Sequence, residues 1–408
     1  MSLSIFDRIA AFNANRNPAI VKHKYKRMSR DAFRFFRGTC HLFYEDLAQS
    51  CELPSLPSLP DSPLAWICGD LHLENFGSYK ADNHLVYFDL TDFDEGCLAP
   101  AAWEIARFVT SIVVALEGLA IEKKAIEQAC QVYLMAYADT LKKGKARYIE
   151  PQTAQGIVRD FLQKVSENTF KTLLAERTET DDNNNHRLKN NEKRLLPLDV
   201  EFKKKLLAET TVWLKAHREE RFHWVILDAG FRISGTSSIG IERYLLLAQN
   251  PKNPDEMELL DMKQALPSVI PLFMPSDVQP TWESEAARIV AIQDRMQNTT
   301  PALLSPFIFD GKPFIFKEMQ PMSDKLDVKI VFKNAEDTHH VLQNMGVLTA
   351  SAQLRSSGRQ GAATADDLML FGADASWQKK VIAFAFAYAE RVKSDFAAFV
   401  LERQNQIK

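Results

Sequence analysis

A chain of 408 residues with 46% hydrophobic residues has apolar material for a large core and for two or three structural units. Its formal net charge of −3 gives no electrostatic ground for nucleic-acid binding. The five cysteines are scattered and show no CxxC pair, which argues against a disulfide framework or a zinc site and fits a reducing, cytoplasmic setting. The first residues lack a signal peptide's apolar core, and no uncharged run approaches the roughly 20 residues of a membrane span, so no membrane partner is expected.

In chain order, Asp31 to Leu47 places Phe35, Phe36, Leu42, Phe43 and Leu47 at helical spacings. The basic run before it (Lys22, Lys24, Lys26, Arg27 and Arg30) reads as a solvated face. The proline-rich stretch from Leu53 to Pro63 cannot continue a helix and reads as a surface connection. A short apolar strand, Leu64 to Cys68, leads into Gly69–Gly77 and then a hairpin that ends in the acidic cluster Asp89–Glu95. Ala101 to about Leu174 reads as mostly helix, and Glu176 to Lys193 as a polar loop.

The second half changes character. Trp224–Leu227, Tyr244–Ala248, Met257–Lys263 and Pro313–Met319 read as strands, Thr281–Gln297 as a helix. Residues 336–406 read as helical again, with Phe384, Phe386, Tyr388, Phe396 and Phe399 as packing residues. The expected class is α+β, with a helical unit over 1–215, an antiparallel β unit over 216–335, and C-terminal helices over 336–408 that pack back on the first unit.

Asp70 and Asn75 stand five apart, with a second acidic cluster one hairpin later, and metal-dependent phosphoryl transfer needs this set. One carboxylate orients or deprotonates the acceptor hydroxyl, while an amide oxygen and a later carboxylate hold magnesium against the phosphates. The turn Ser234–Gly240 lies between two strands, where backbone N–H groups can approach phosphate oxygens, and Lys263 on the next strand adds a point charge. No Walker A pattern is present.

Gly69-Asp70-Leu71-His72-Leu73-Glu74-Asn75 resembles the catalytic loop of the protein-kinase-like superfamily, in the form used by aminoglycoside phosphotransferases and choline kinases. Those families read His-Gly-Asp-x-x-x-x-Asn, a hairpin, Ile-Asp-Phe/Trp and then an Asp that opens a helix; here Glu104 stands where they have that Asp. Nearly the whole chain is also similar to an uncharacterised bacterial family, a domain of unknown function. The shared motifs are Phe35-Phe36-Arg37-Gly38, Gly69–Gly77, Asp92-Phe93-Asp94-Glu95, and Ser234–Gly240 followed by Lys263. In ordinary kinases the Gly-rich unit precedes the catalytic loop, whereas here it follows by about 160 residues. The resemblance therefore implies a two-lobed, circularly permuted kinase-like fold, with Val347–Arg355 as the helix that usually precedes the loop. It requires Gly235 and Lys263 to face Asp70 across one cleft.

The resemblance implies ATP and Mg2+ as cofactors and assigns catalysis to Asp70, Asn75 and Asp92. Nucleotide binding falls to Gly235, Ser237, Ser238, Gly240 and Lys263. Asn75 and one or two carboxylates hold the metal: counting from the hairpin favours Asp89, whereas counting back from Trp103-Glu104-Ile105 favours Asp92, and we take Asp92 with Asp94 next. His72 reads as packing or bonding within the loop. Glu285 and Glu283 are rival partners for Lys263, and Arg37 is either an anion contact or an ion pair. The expected activity is phosphoryl transfer to a hydroxyl of an unnamed small-molecule or protein acceptor. Nucleotidyl transfer of AMP and a catalytically silent nucleotide-binding module are the alternatives. The sequence names neither the acceptor nor the oligomeric state.

Overall fold

The structure, a computed structural model, describes residues 3–407 apart from 15, 17, 50–55, 168–169, 182–184, 190–194, 220–222, 234–239, 320–325 and 327–330. Asp31 caps the helix Ala32–Gly38 by accepting from the Arg34 N–H at 2.7 Å. The Thr39 hydroxyl donates to the Phe35 carbonyl at 2.8 Å, the chain leaves helical geometry at φ −124°, and a second helix runs Cys40–Ala48. A side-chain hydroxyl competing for a helix carbonyl accounts for the break in what the sequence suggested was one helix. Phe35, Phe36, Leu42, Phe43 and Leu47 are all buried.

Strand β1 (Leu64–Ile67) pairs antiparallel with β4 (Cys97–Pro100), and β2 (Phe76–Lys80) pairs with β3 (Val86–Leu90). These two pairs present the Gly69–Asn75 loop and the acidic turn after β3. The helix Ala101–Glu117 follows β4 directly and is buried along nearly its whole length. Against it pack Lys123–Lys143 and the long C-terminal helix Ser376–Ile407, while Ala335–Ser356 and Ala365–Ala373 pack on Lys123–Lys143, and together they form the main hydrophobic core. Phe384, Tyr388 and Phe399 are fully buried, while Phe386 and Phe396 pack at the edge of that core.

The second unit is a six-stranded antiparallel sheet in the order β11-β12-β10-β9-β8-β7. Its strands are β7 (Leu195–Leu196), β8 (Val225–Arg232), β9 (Arg243–Asn250), β10 (Asn253–Gln264), β11 (Ser305–Phe309) and β12 (Lys312–Glu318). Side chains alternate across a strand. Leu260 and Met262 of β10 pack with Leu206 and Leu214 of the helix Val200–His217, whereas Asp261 and Lys263 leave the opposite face. Between the helices and this sheet, β5 (Thr178–Thr180) and β6 (His186–Leu188) form a hairpin where the sequence suggested a loop. Leu188 is buried against Leu245 and Leu247, and its N–H donates to Asp228 at 2.7 Å, which ties the hairpin to the sheet.

The cores divide the chain elsewhere than at 215 and 335. The helix Val200–His217 belongs to the sheet core, whereas Ala265, Ile270, Ile289 and Met296 return to the main core. The fold is α+β, and its sheets are antiparallel throughout. No helix among the described residues is long and apolar enough to cross a membrane.

Candidate active site

Gly69 carries the loop with φ +85°, a left-handed conformation that favours glycine. Its carbonyl accepts from the Tyr44 hydroxyl. Glu104, fully buried, accepts from the N–H groups of Cys68 at 2.7 Å and Gly69 at 3.3 Å, and its other oxygen accepts from Gln353 Nε2 at 3.1 Å. Burial pushes the Glu104 carboxyl up, and these bonds to its oxygens oppose that shift. Where the kinase-like pattern has Asp, this Glu clamps the loop's backbone to two helices.

Asp70 is buried beside Arg107, which donates through Nε at 2.9 Å and through Nη2, both bonds falling on Oδ1. Burial raises the Asp70 carboxyl, and Arg107 works against that rise. Asn75 Nδ2 donates to the Asp70 carbonyl, which closes the loop on itself. His72 Nδ1 accepts from the Glu74 N–H at 3.1 Å, and its Nε2 stands 3.2 Å from Arg37 Nε. Arg37 also pairs with Glu74, so both His72 and Arg37 brace the loop.

The acidic turn is fixed from the other side of the chain. Arg288 donates to the carbonyls of Asp94 at 2.8 Å, Leu266 at 3.0 Å and Gly96. Glu95 accepts from the Val269 N–H at 2.8 Å. Lys263, arriving from β10, pairs with Asp94 and lies 3.7 Å from Asp92. Burial works to lower the lysine, but these two carboxylates raise it. Its partners are therefore the two aspartates; Glu285 pairs instead with Arg288 at 2.6 Å.

The three rival carboxylates separate. Asp92 and Asp94 line a cavity of about 250 Å³ together with Asp70, Glu95, Cys68 and Arg16. Asp89 turns away, accepting from the Leu90 N–H at 2.9 Å and facing Arg355 at 3.4 Å, and burial pushes it up to about 6. Gly240, at φ +105°, rests against Arg16, with a Cβ there falling 3.2 Å from Arg16 Cδ. The other expected nucleotide contacts, Gly235, Ser237 and Ser238, lie outside the described residues.

Magnesium is held by one or two carboxylates plus phosphate oxygens and water. Asp92 and Asp94 supply that number of hard oxygen donors, whereas Asn75, its nitrogen turned to the Asp70 carbonyl, is not among the residues lining the cavity. Among the described residues no group of three or more His, Cys, Asp or Glu is arranged to hold a metal. An all-protein cage is absent there, while a site completed by phosphates fits the donors.

Sequence reasoning missed Arg107, Arg288, Arg16 and the clamp by Glu104, and it misplaced Lys24. That lysine is only 2% exposed, with Nζ 3.3 Å from Asn13 Oδ1, because the helix Pro18–Met28 turns Lys24 and Met28 inward together. Burial first and Arg16 second push its amine down to about 7, against the opposing pull of Asp70, Glu95 and Cys40.

No curated protein and no solved structure matches the chain. The family model described as "Uncharacterized protein conserved in bacteria (DUF2252)" matches residues 16–402, a span that takes in the Gly69–Gly77 loop, the acidic turn and Lys263. The chain belongs to this bacterial family.

Proposed function

We propose that the protein is an ATP- and magnesium-dependent phosphotransferase of permuted, two-lobed kinase-like build, acting on a hydroxyl of a small-molecule or protein acceptor. One observation carries the reading. Lys263 crosses from the sheet to Asp92 and Asp94 of the helical body, at the wall of a cavity that Asp70 also lines. A lone carboxylate and a carboxylate pair in one cavity, with a lysine held against the pair from the neighbouring strand, are parts that phosphoryl transfer uses. Lys263 would exchange its carboxylates for nucleotide phosphates, Asp92 and Asp94 would hold magnesium, and Asp70 would orient the acceptor hydroxyl. Magnesium, when bound, neutralises charge on the transferred phosphoryl group. Gly240 and the neighbouring Gly235, Ser237 and Ser238 would cradle the phosphates through backbone N–H groups.

Titration calorimetry with ATP and magnesium tests this. Lys263→Met is expected to weaken ATP about 10- to 100-fold, since a charged hydrogen bond contributes roughly 1.5–3 kcal/mol. Asp92→Ala is expected to leave ATP binding insensitive to magnesium. Failure of the wild-type chain to bind ATP at millimolar concentration would sink the reading.

The bonds from Arg107 to Asp70 Oδ1 favour a second reading, a silent nucleotide-binding module, because a carboxylate held by a guanidinium is a poorer proton acceptor. ATP binding without turnover on any acceptor would select it. Mass spectrometry of a modified acceptor separates phosphoryl transfer from AMP transfer.

A further inference from the structure

Among the side chains lining the cavity, Asp70, Asp92, Asp94 and Glu95 are carboxylates and Arg16 is the cation. The other cations nearby have anionic partners: Arg107 has Asp70, Lys263 has Asp92 and Asp94, Arg288 has Glu285, and Arg37 has Glu74. Arg16 differs. Among the described residues it makes no ion pair, and its Nη1 is buried with no hydrogen-bond partner. Its guanidinium lies 5.0 Å from the Phe12 ring, with the Gly240 backbone against its stem. Behind it, Lys24 is buried with a neutral amide, Asn13, as its hydrogen-bond partner. Cations withdrawn from water are costly unless an anion or a full set of hydrogen bonds compensates them. Here a buried lysine and a half-buried arginine both lie within 6 Å of the Phe12 ring, 5.7 Å and 5.0 Å from its centre, with the compensation incomplete.

We propose that Arg16, backed by Lys24, is an anion-binding subsite that receives a phosphate or carboxylate carried by the acceptor whose hydroxyl reaches Asp70. The assignment to the acceptor rests on the phosphotransferase reading. Lys263 already meets the acidic turn and serves the nucleotide phosphates in that reading, whereas Arg16 lines the same cavity as Asp70, the carboxylate given to the acceptor. The acceptor class that follows is a hydroxy compound with an anionic group close to the hydroxyl. A guanidinium can meet either group through two parallel N–H donors, and an ammonium adds a point charge.

Inorganic phosphate titrated into the full chain without nucleotide reads the subsite by itself. Wild type is expected to bind at millimolar concentration, Arg16→Gln about tenfold more weakly or worse, and Arg16→Lys in between. Arg16→Lys carries the comparison should the Gln variant lose its fold. Phosphate is expected to bind as well when magnesium and a non-hydrolysable ATP analogue are present. Absence of phosphate binding by wild type, or unchanged binding by both variants, overturns the subsite. Displacement of phosphate by the analogue gives Arg16 to the nucleotide and overturns the acceptor assignment. The first titration holds no ATP, so its outcome is independent of whether ATP binds.

Discussion

Asp261→Asn is expected to remove about 3–5 kcal/mol of stability, the usual cost of breaking a buried charge pair from one side. Asp261 leaves β10 on the face opposite the sheet's own core and takes two arginines at once. Arg243 donates through Nε at 2.7 Å and also through Nη2, and Arg232 donates through Nη1 at 2.6 Å. Burial alone would raise this carboxyl, but Arg243 and then Arg232 override it and hold Asp261 well below the usual carboxylate range. Removing the charge leaves two guanidinium groups facing each other out of water. Because the folded-state pKa is depressed, the contribution is fully present above the unfolded value of about 3.9 and fades as pH falls below it. Urea midpoints of wild type and variant should therefore differ by a constant amount from pH 8 to pH 5. A difference under about 1 kcal/mol, or one that shrinks across that window, would refute the account; single surface substitutions commonly fall within ±0.5 kcal/mol.

Gly69→Ala is expected to cost roughly 3 kcal/mol or more, combining strain at positive φ with overpacking. At φ +85° a Cβ would lie 2.4 Å from the Glu95 carbonyl oxygen, 2.7 Å from Glu95 Cβ and 2.7 Å from Ile270 Cδ1. The first neighbour is backbone, held by the Ser268 hydroxyl at 3.0 Å, so it cannot step aside without dragging the acidic turn. A thermal or denaturant midpoint close to wild type would show that the loop and the turn are less tightly joined than their geometry implies. The same substitution should disturb ATP binding, since Asp70 follows directly.

Much of this arrangement was legible in the sequence, and what was not has identifiable causes. Strands β8, β9, β10 and β12 announce themselves through apolar runs bounded by turns. The helix Val200–His217 does not, because only Leu206, Thr210 and Leu214 are fully buried, while Val200 and Val212 are exposed and blur the apolar stripe. Strand β11, Ser-Pro-Phe-Ile-Phe, is short and carries Pro306, which reads as an edge position once the sheet is known. At the site, Asp70, Asn75, Asp92 and Lys263 follow local patterns. Arg107, Arg288 and Arg16 do not, since what makes them important is a partner, or a missing partner, supplied by distant segments. Lys24 illustrates the limit: lysines at alternate positions look like a wet surface until the helix is docked with one of them inward.

The four described cysteines give the molecule a built-in clock. Cys40, Cys68, Cys97 and Cys130 are buried, and burial pushes each thiol up, so in the native state they remain protonated and nucleophilically inert. Alkylation of these four then proceeds only through transient exposure, and its rate counts openings. Cys68 belongs to the cavity wall and Cys130 does not. A compound that occupies the cavity should slow labelling of Cys68 relative to Cys130, whereas a ligand that only stiffens the whole molecule should slow both alike.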